Sequence, residues 1–232
     1  MVKGTKNYIE PATIFEKELQ DLVLKKVCHY NFFIDIGAHI GHWTTYTGSQ
    51  FKKVLAIEPS PENYPRLVNH CKALLNDYQL VNKAVLNKSC KTKMKKHHSL
   101  SKDPYWQGMR CYLNESSGEY DVSADTVENI VASSKFNKEP ISLIKMDIEG
   151  YEPVAWLGMI NLIVRHKPVL IFEIEDRWIG RSAKFLRNPK ITTESFRNQI
   201  CQYGYEMILL PEITRDTLFI PTNKSIIKKE WW

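Results

Sequence analysis

Two neighbouring segments constrain this chain more than any others: Phe32-Phe33-Ile34-Asp35-Ile36-Gly37-Ala38-His39-Ile40-Gly41 and, a short interval later, Val54-Leu55-Ala56-Ile57-Glu58-Pro59. The first is a near-continuous apolar run closed by glycines, the pattern of a strand covered on both faces. The second is another apolar run, and it ends in a carboxylate. With the short interval between them read as helix, they form a parallel βαβ unit, which places the turn after its first strand beside the end of its second. A ligand there meets the glycine backbone and Glu58 together. Glycines allow close approach, the start of the following helix offers unpaired N–H groups, and a carboxylate can accept hydrogen bonds from vicinal hydroxyls. The unit therefore suits a ribose-bearing molecule, and S-adenosylmethionine, S-adenosylhomocysteine and NAD qualify equally on these residues.

At 232 residues, 43% of them apolar and 25% charged, the chain can bury one substantial core. One domain over residues 1–232 is expected, with a helical extension over 1–30 and a basic insertion or lid over 87–118. No apolar run reaches the roughly 18 residues that span a bilayer, and the N-terminal stretch lacks the apolar segment of a secretion signal. A cytoplasmic protein without membrane partners is the expectation. The five cysteines are dispersed and form no CxxC pair, which favours reduced thiols over a disulfide framework or structural zinc. The net charge of +6 is modest, so only its distribution bears on partners.

Apolar positions at helical spacing predict a leading helix within Ile9–Val27, packed on the first strand. A helix is expected after Ser60-Pro61, with its first turn delayed by Pro65. A third strand is expected over Gln79–Val85, followed by a polar, basic excursion from the sheet over 87–118. A short helix over Val127–Val131 leads to a second strand-and-glycine unit, Ile141 to Gly150, then a helix from about Pro153 to Arg165. Pro168 to Glu175 reads as a strand, Thr193–Tyr203 as a helix stopped by Gly204, and Tyr205–Leu210 with Thr217–Ile220 as a closing hairpin. Together these give an α/β fold with a doubly wound, mostly parallel sheet and an antiparallel edge hairpin.

Four pieces stand in an order that resembles the FkbM family of S-adenosylmethionine-dependent methyltransferases, a branch of the class I methyltransferase fold. They are Asp35 to Gly41, Glu58-Pro59-Ser60-Pro61, Lys145-Met146-Asp147-Ile148-Glu149-Gly150, and Pro168 to Glu173 with the later Gly204-Tyr205. The resemblance covers about residues 32–210 and implies a Rossmann-like seven-stranded sheet. It also implies S-adenosylmethionine as methyl donor and S-adenosylhomocysteine as product, with Asp35, Gly37, Ala38, His39, Gly41 and Glu58 at the cofactor. The family usually carries Asn in place of His39 and an aromatic in place of His42. The first glycine turn departs from the GxGxxG pattern of NAD enzymes.

Asp147 and Glu149 fall where a doubly wound sheet opens its ligand crevice, so they are the candidates for the catalytic or acceptor-facing role. Methyl transfer to oxygen needs an aligned acceptor, about 3 Å from the methyl carbon, and a group to take its proton. His39 and His42, and the pair His97-His98, are lesser candidates for that base. Asp147, Glu173 and Glu175 are oxygen ligands that would suit Mg²⁺ or Ca²⁺, although nothing in the spacing requires a metal. The run Lys91 to His98, with Tyr105, Trp106 and Arg110, suits an anionic acceptor or a solvated loop. Lys228 to Trp232, ending in a tryptophan pair, is equally ambiguous. The resemblance points to a sugar or other small-molecule hydroxyl as acceptor. The rival readings are an RNA 2′-O-methyltransferase with a Lys-Asp-Lys-Glu tetrad, whose lysines the sequence does not place, and a non-catalytic binding scaffold.

Overall fold

The computed structural model describes residues 14–74, 76–96, 111–113, 118–210 and 215–223. Within them, Phe32–Ile36 is buried at every position and forms strand β1, as a run without polar alternation demands. Before it lies helix α1 (Ile14–Leu24), and after it come helix α2 (His42–Tyr46), strand β2 (Lys53–Ile57), helix α3 (Tyr64–Cys71) and strand β3 (Asp77–Val81). The chain then leaves this layer for β4 (Ala84–Val85), β5 (Cys90–Lys96), β6 (Cys111–Leu113) and β7 (Tyr120–Asp125). It returns through α4 (Val127–Ser133) to β8 (Ile141–Met146), followed by α5 (Glu152–Leu157), α6 (Ile160–His166) and β9 (Val169–Glu173). Helices α7 (Asp176–Phe185) and α8 (Thr193–Gln202) precede the hairpin of β10 (Tyr205–Leu209) and β11 (Asp216–Pro221).

The main sheet has seven strands in the order β10-β11-β9-β8-β1-β2-β3. The closing hairpin supplies the antiparallel pairing at the edge: β11 runs antiparallel to β9 and to β10, so β10 itself points the same way as the parallel strands. Period-two alternation divides the core between the two faces. Phe32, Ile34, Ile36, Leu55, Ile57, Ile144, Met146, Leu170 and Phe172 meet α4, α5, α6 and α8, with Trp156 fully buried among them. Trp156 packs edge-on against Phe172, Phe196 and Tyr203. On the opposite face Phe33, Val54, Leu143, Val169 and Ile171 meet Leu19 and Val23 of α1 and Trp43 of α2. Ala56 meets Leu67 and Cys71 of α3 on that same face. The leading helix thus packs on the first strand as its spacing predicts.

Three local expectations are adjusted by packing. The strand expected over Gln79–Val85 is two strands, β3 in the main sheet and β4 in a second sheet, joined across Asn82-Lys83. The helix expected from Pro153 to Arg165 breaks at Gly158-Met159, where a Cβ on Gly158 would come within 2.8 Å of the Leu86 carbonyl oxygen. Helix α7 has no counterpart in the sequence reading, because its strongly polar composition hides a narrow apolar side on which Ile179 is buried.

Residues 87–118 do leave the main sheet, but their described part is ordered as strands. The second sheet runs β4-β7-β5-β6. In β5 Lys91 and Lys93 are exposed while Thr92 and Met94 are buried, so the basic run is the outer face of a half-buried strand. Its inner face, with Ala84, Met94, Leu113 and Ala124, packs on Tyr151 and Val154 at the start of α5. His97, His98, Tyr105, Trp106, Arg110 and the C-terminal Lys228 to Trp232 lie outside the described residues. Among the described residues no helix is long and apolar enough to cross a membrane.

Candidate functional site

Strands β1 and β8 are neighbours in space, and successive strands run outward from them in opposite directions, so their carboxyl ends flank the switch point of the sheet. The glycine turn after β1 is tied across to β2. Gly37 and Ala38 both donate to the Ile57 carbonyl, at 2.9 and 3.0 Å. Gly37 has φ +77°, and a Cβ there would lie 1.9 Å from the Asp147 carbonyl oxygen. The two strand-end turns are therefore in backbone contact, which only a glycine permits. His39, a non-glycine residue, takes φ +54°, and Gly41 opens α2 at φ +98°.

Glu58 leaves the end of β2 with its side chain almost wholly enclosed. One carboxylate oxygen accepts the His39 N–H at 2.8 Å and the other accepts the Ser60 N–H at 2.9 Å. Burial pushes its carboxyl up to about 7, against the lowering effect of those two amides, the Asn63 side chain and Lys145. Of the roughly four acceptor positions on a carboxylate, three are engaged by this chain, which leaves about one for an outside donor. His39 is half-buried, and desolvation pushes its ring down to about 4 and keeps it neutral, while its Nε2 has no partner among the described residues.

The centre of the site is Lys145, a residue whose role the sequence leaves unassigned. It is the one charged residue in β8, flanked by Ile144 and Met146, and at 6% exposure it is buried beneath the crevice. Its ammonium donates to the Gly37 carbonyl at 3.1 Å and lies 3.8 Å from Asp35 and 3.7 Å from Asp147. Burial disfavours the ammonium, yet Asp147, Asp35, Asp216 and Glu173 together outweigh it and hold its pKa above the ordinary value. Asp35 is fully enclosed, accepts the Thr44 hydroxyl at 2.6 Å, and is raised by burial against the pull of Lys145. A buried lysine in an apolar strand signals such a partner, but only strand pairing shows which one.

Strand β8 ends at Met146, so the two-residue spacing of Asp147 and Glu149 does not lie along a strand. Asp147 faces Lys145, whereas Glu149, at φ +57°, faces Arg181 of α7 at 3.9 Å. The turn between them is held from outside: Arg181 donates to the Glu149 carbonyl at 2.6 Å and Ser182 to the Gly150 carbonyl at 2.7 Å. From inside, Glu152 accepts the Ile148 N–H at 2.8 Å and the Gly150 N–H at 3.4 Å on one oxygen. Burial pushes the Glu152 carboxyl up to about 8. A carboxyl raised in the fold contributes stability below its ordinary value of 4.5 and loses it as pH rises through about 8. Wild type should therefore lose on the order of 4 kcal/mol relative to Glu152→Gln across that interval, measured by urea denaturation of both proteins at stepped pH. A constant difference would show that Glu152 is ionised throughout.

Glu175, a candidate to join Asp147 and Glu173, is instead engaged by Arg177 and Arg215, each at 3.1 Å. Among the described residues no group of three or more His, Cys, Asp or Glu is arranged to hold a metal ion.

The profile of the methyltransferase FkbM domain matches residues 35–207, from Asp35 near the end of β1 to the middle of β10. The chain belongs to the FkbM methyltransferase family. Solved structures agree on the fold. A methyltransferase FkbM from Methylobacillus flagellatus KT superposes with a TM-score of 0.53 at 18% identity, covering 86% of this chain. This chain spans 50% of that protein's length. A provisionally named O-methyltransferase from Klebsiella pneumoniae superposes with a TM-score of 0.53 at 10% identity, over 93% of this chain and 83% of the other. A provisionally named methyltransferase from Streptococcus mutans, solved with S-adenosylhomocysteine, gives 0.50 at 13% identity over 94% and 98%. No curated protein matches the sequence. The FkbM match begins at Asp35 and includes the Lys145 to Gly150 turn, so both strand-end turns of the site lie within the family domain.

Proposed function

We propose that this chain transfers a methyl group from S-adenosylmethionine to a hydroxyl of a sugar or other small molecule, leaving S-adenosylhomocysteine. The observation that carries this reading is Glu58, a buried carboxylate at the lip of a glycine turn with about one acceptor position to spare, facing the same switch point as Asp147. Family membership and the S-adenosylhomocysteine held by the Streptococcus mutans relative support the choice of donor. Bound there, the donor supplies an electrophilic methyl on a sulfonium. Glu58 accepts a ribose hydroxyl, and the backbone of Gly37, Ala38, His39 and Gly41 forms the wall that the donor approaches. Asp35 acts from below, by holding Lys145 under the Gly37 carbonyl. Asp147, whose side chain is 39% exposed, faces the acceptor and takes its proton, and Glu149 flanks it.

The rival with RNA as acceptor needs lysines able to reach the transferred group. Lys145 is instead locked beneath the turns by Asp35 and the Gly37 carbonyl, which favours the small-molecule reading.

Titration calorimetry with S-adenosylmethionine, S-adenosylhomocysteine and NAD tests the donor. Binding of the first two is expected, and binding of NAD alone would overturn the proposal. Glu58→Ala should weaken S-adenosylmethionine by roughly 1–3 kcal/mol, the scale of a lost charged hydrogen bond. Unchanged affinity would move the ribose elsewhere. Formation of S-adenosylhomocysteine with a panel of glycans, hydroxylated metabolites and RNA then separates an enzyme from a binding scaffold.

A further inference from the structure

Strands β8 and β9 pair in parallel with Met146 opposite Phe172, so Asp147 and Glu173 stand at adjacent strand ends although 26 positions separate them in sequence. That register sets the two carboxyl groups close enough for the Asp147 charge to act directly on Glu173. A carboxylate only accepts hydrogen bonds, so two carboxyl groups at adjacent strand ends can be joined only when one of them carries a proton. Their surroundings explain why one proton stays. Asp216 on β11 is paired opposite Glu173, and Glu149 in the turn adds a further acid. Asp35 lies on the far side of Lys145, and Glu152 and His39 also feel the Asp147 charge. Against these acids stand Lys145, shared between Asp35 and Asp147, and Arg181 beside Glu149. Burial, together with Asp147, Glu149 and Asp216, holds the Glu173 carboxyl well above the usual carboxylate range.

We propose that Asp147 and Glu173 form one proton-sharing pair, in which Glu173, acting through Asp147, is a positioning residue for the acceptor hydroxyl. The inference rests on the methyl-transfer reading above. The hydrogen bond from Glu173 fixes the Asp147 side chain and leaves it the accepting group of a singly charged pair. As the acceptor oxygen bonds to the methyl carbon, the electron pair of the breaking sulfur–carbon bond stays on sulfur and the hydroxyl proton passes to Asp147. The pair is then neutral, and it returns one proton to solvent before the next turnover.

Two measurements test the pair. Carboxyl carbon NMR of protein labelled in Asp and Glu should show a Glu173 signal that titrates above the ordinary range and is absent from Glu173→Gln. In Asp147→Asn its midpoint should fall by more than about one pH unit, the mark of coupled sites. Independent titration of the two carboxyls would overturn the proposal, and this arm needs no ligand. In the second measurement, calorimetry in buffers of differing ionisation enthalpy counts protons released on binding. S-adenosylmethionine, which carries the sulfonium charge, should release more protons than S-adenosylhomocysteine near the Glu173 midpoint, and Glu173→Gln should abolish the difference. Equal release by the two ligands would sink the pair while sparing the donor assignment. Failure of both ligands to bind would sink the donor assignment and leave the NMR titration to decide the pair.

Discussion

Gly37→Ala should abolish S-adenosylmethionine binding and destabilise the protein by about 3 kcal/mol or more. Two costs add. An alanine at φ +77° enters the left-handed region, at about 1–2 kcal/mol. Its Cβ would also stand 1.9 Å from the Asp147 carbonyl oxygen and 2.9 Å from the Asp147 carbonyl carbon, which are backbone atoms that no rotamer change can clear. Relief requires separating the ends of β1 and β8, and that separation also withdraws the Gly37 carbonyl from Lys145. Gly180 is the control. It lies on the exposed side of α7 with nothing within 4 Å of an added Cβ, so Gly180→Ala should leave binding unchanged and stabilise by about 0.5–1 kcal/mol. Calorimetry and urea denaturation on the two variants measure both effects, and a Gly37→Ala protein that binds normally would show that the turns are not in contact.

Lys145→Met should cost about 3–5 kcal/mol, because it leaves Asp35, at 0% exposure, without its cation. Asp35 would retain the Thr44 hydroxyl, but one neutral donor does not replace an ammonium. The loss should shrink as pH falls. The fold already raises the Asp35 carboxyl, removal of Lys145 raises it further, and the protonated acid needs no counter-ion. In linkage terms the variant's deficit is present above the folded Asp35 value and is lost below it. The double variant Asp35→Asn/Lys145→Met should recover much of the loss. Urea denaturation at neutral and acid pH provides the comparison, and a single variant as stable as wild type at neutral pH would mean that Asp35 is already neutral in the native protein.

The parts of the site written in one place were legible in the chain itself. The run Phe32–Ile36 read as a covered strand because local apolar continuity reports burial on both faces, and Gly37 and Gly41 read as close-approach positions because their neighbours set the turn. Glu58 followed from chain geometry, since a βαβ crossover has one hand. The parts assembled from distant segments were not legible. The basic run at Lys91–Lys96 looked like a solvated excursion because β5 takes its partners from β6 and β7, and its buried face is only Thr92 and Met94. Glu152 gave no signal, because its task is to accept two amides whose orientation exists only once the turn has formed.

From sequence alone, the order of the main-sheet strands and of the two glycine turns, the α/β class and the family resemblance were determined, all consequences of residues a few positions apart. Tertiary structure decided which charges meet. Lys145 faces Asp35 across 110 residues, and Asp147 meets Glu173 across 26, through strand register. Register is a property of the assembled sheet. An ionisable group takes its protonation state from whatever that assembly places beside it, so the chemistry of this site is settled only when β1, β8 and β9 come together.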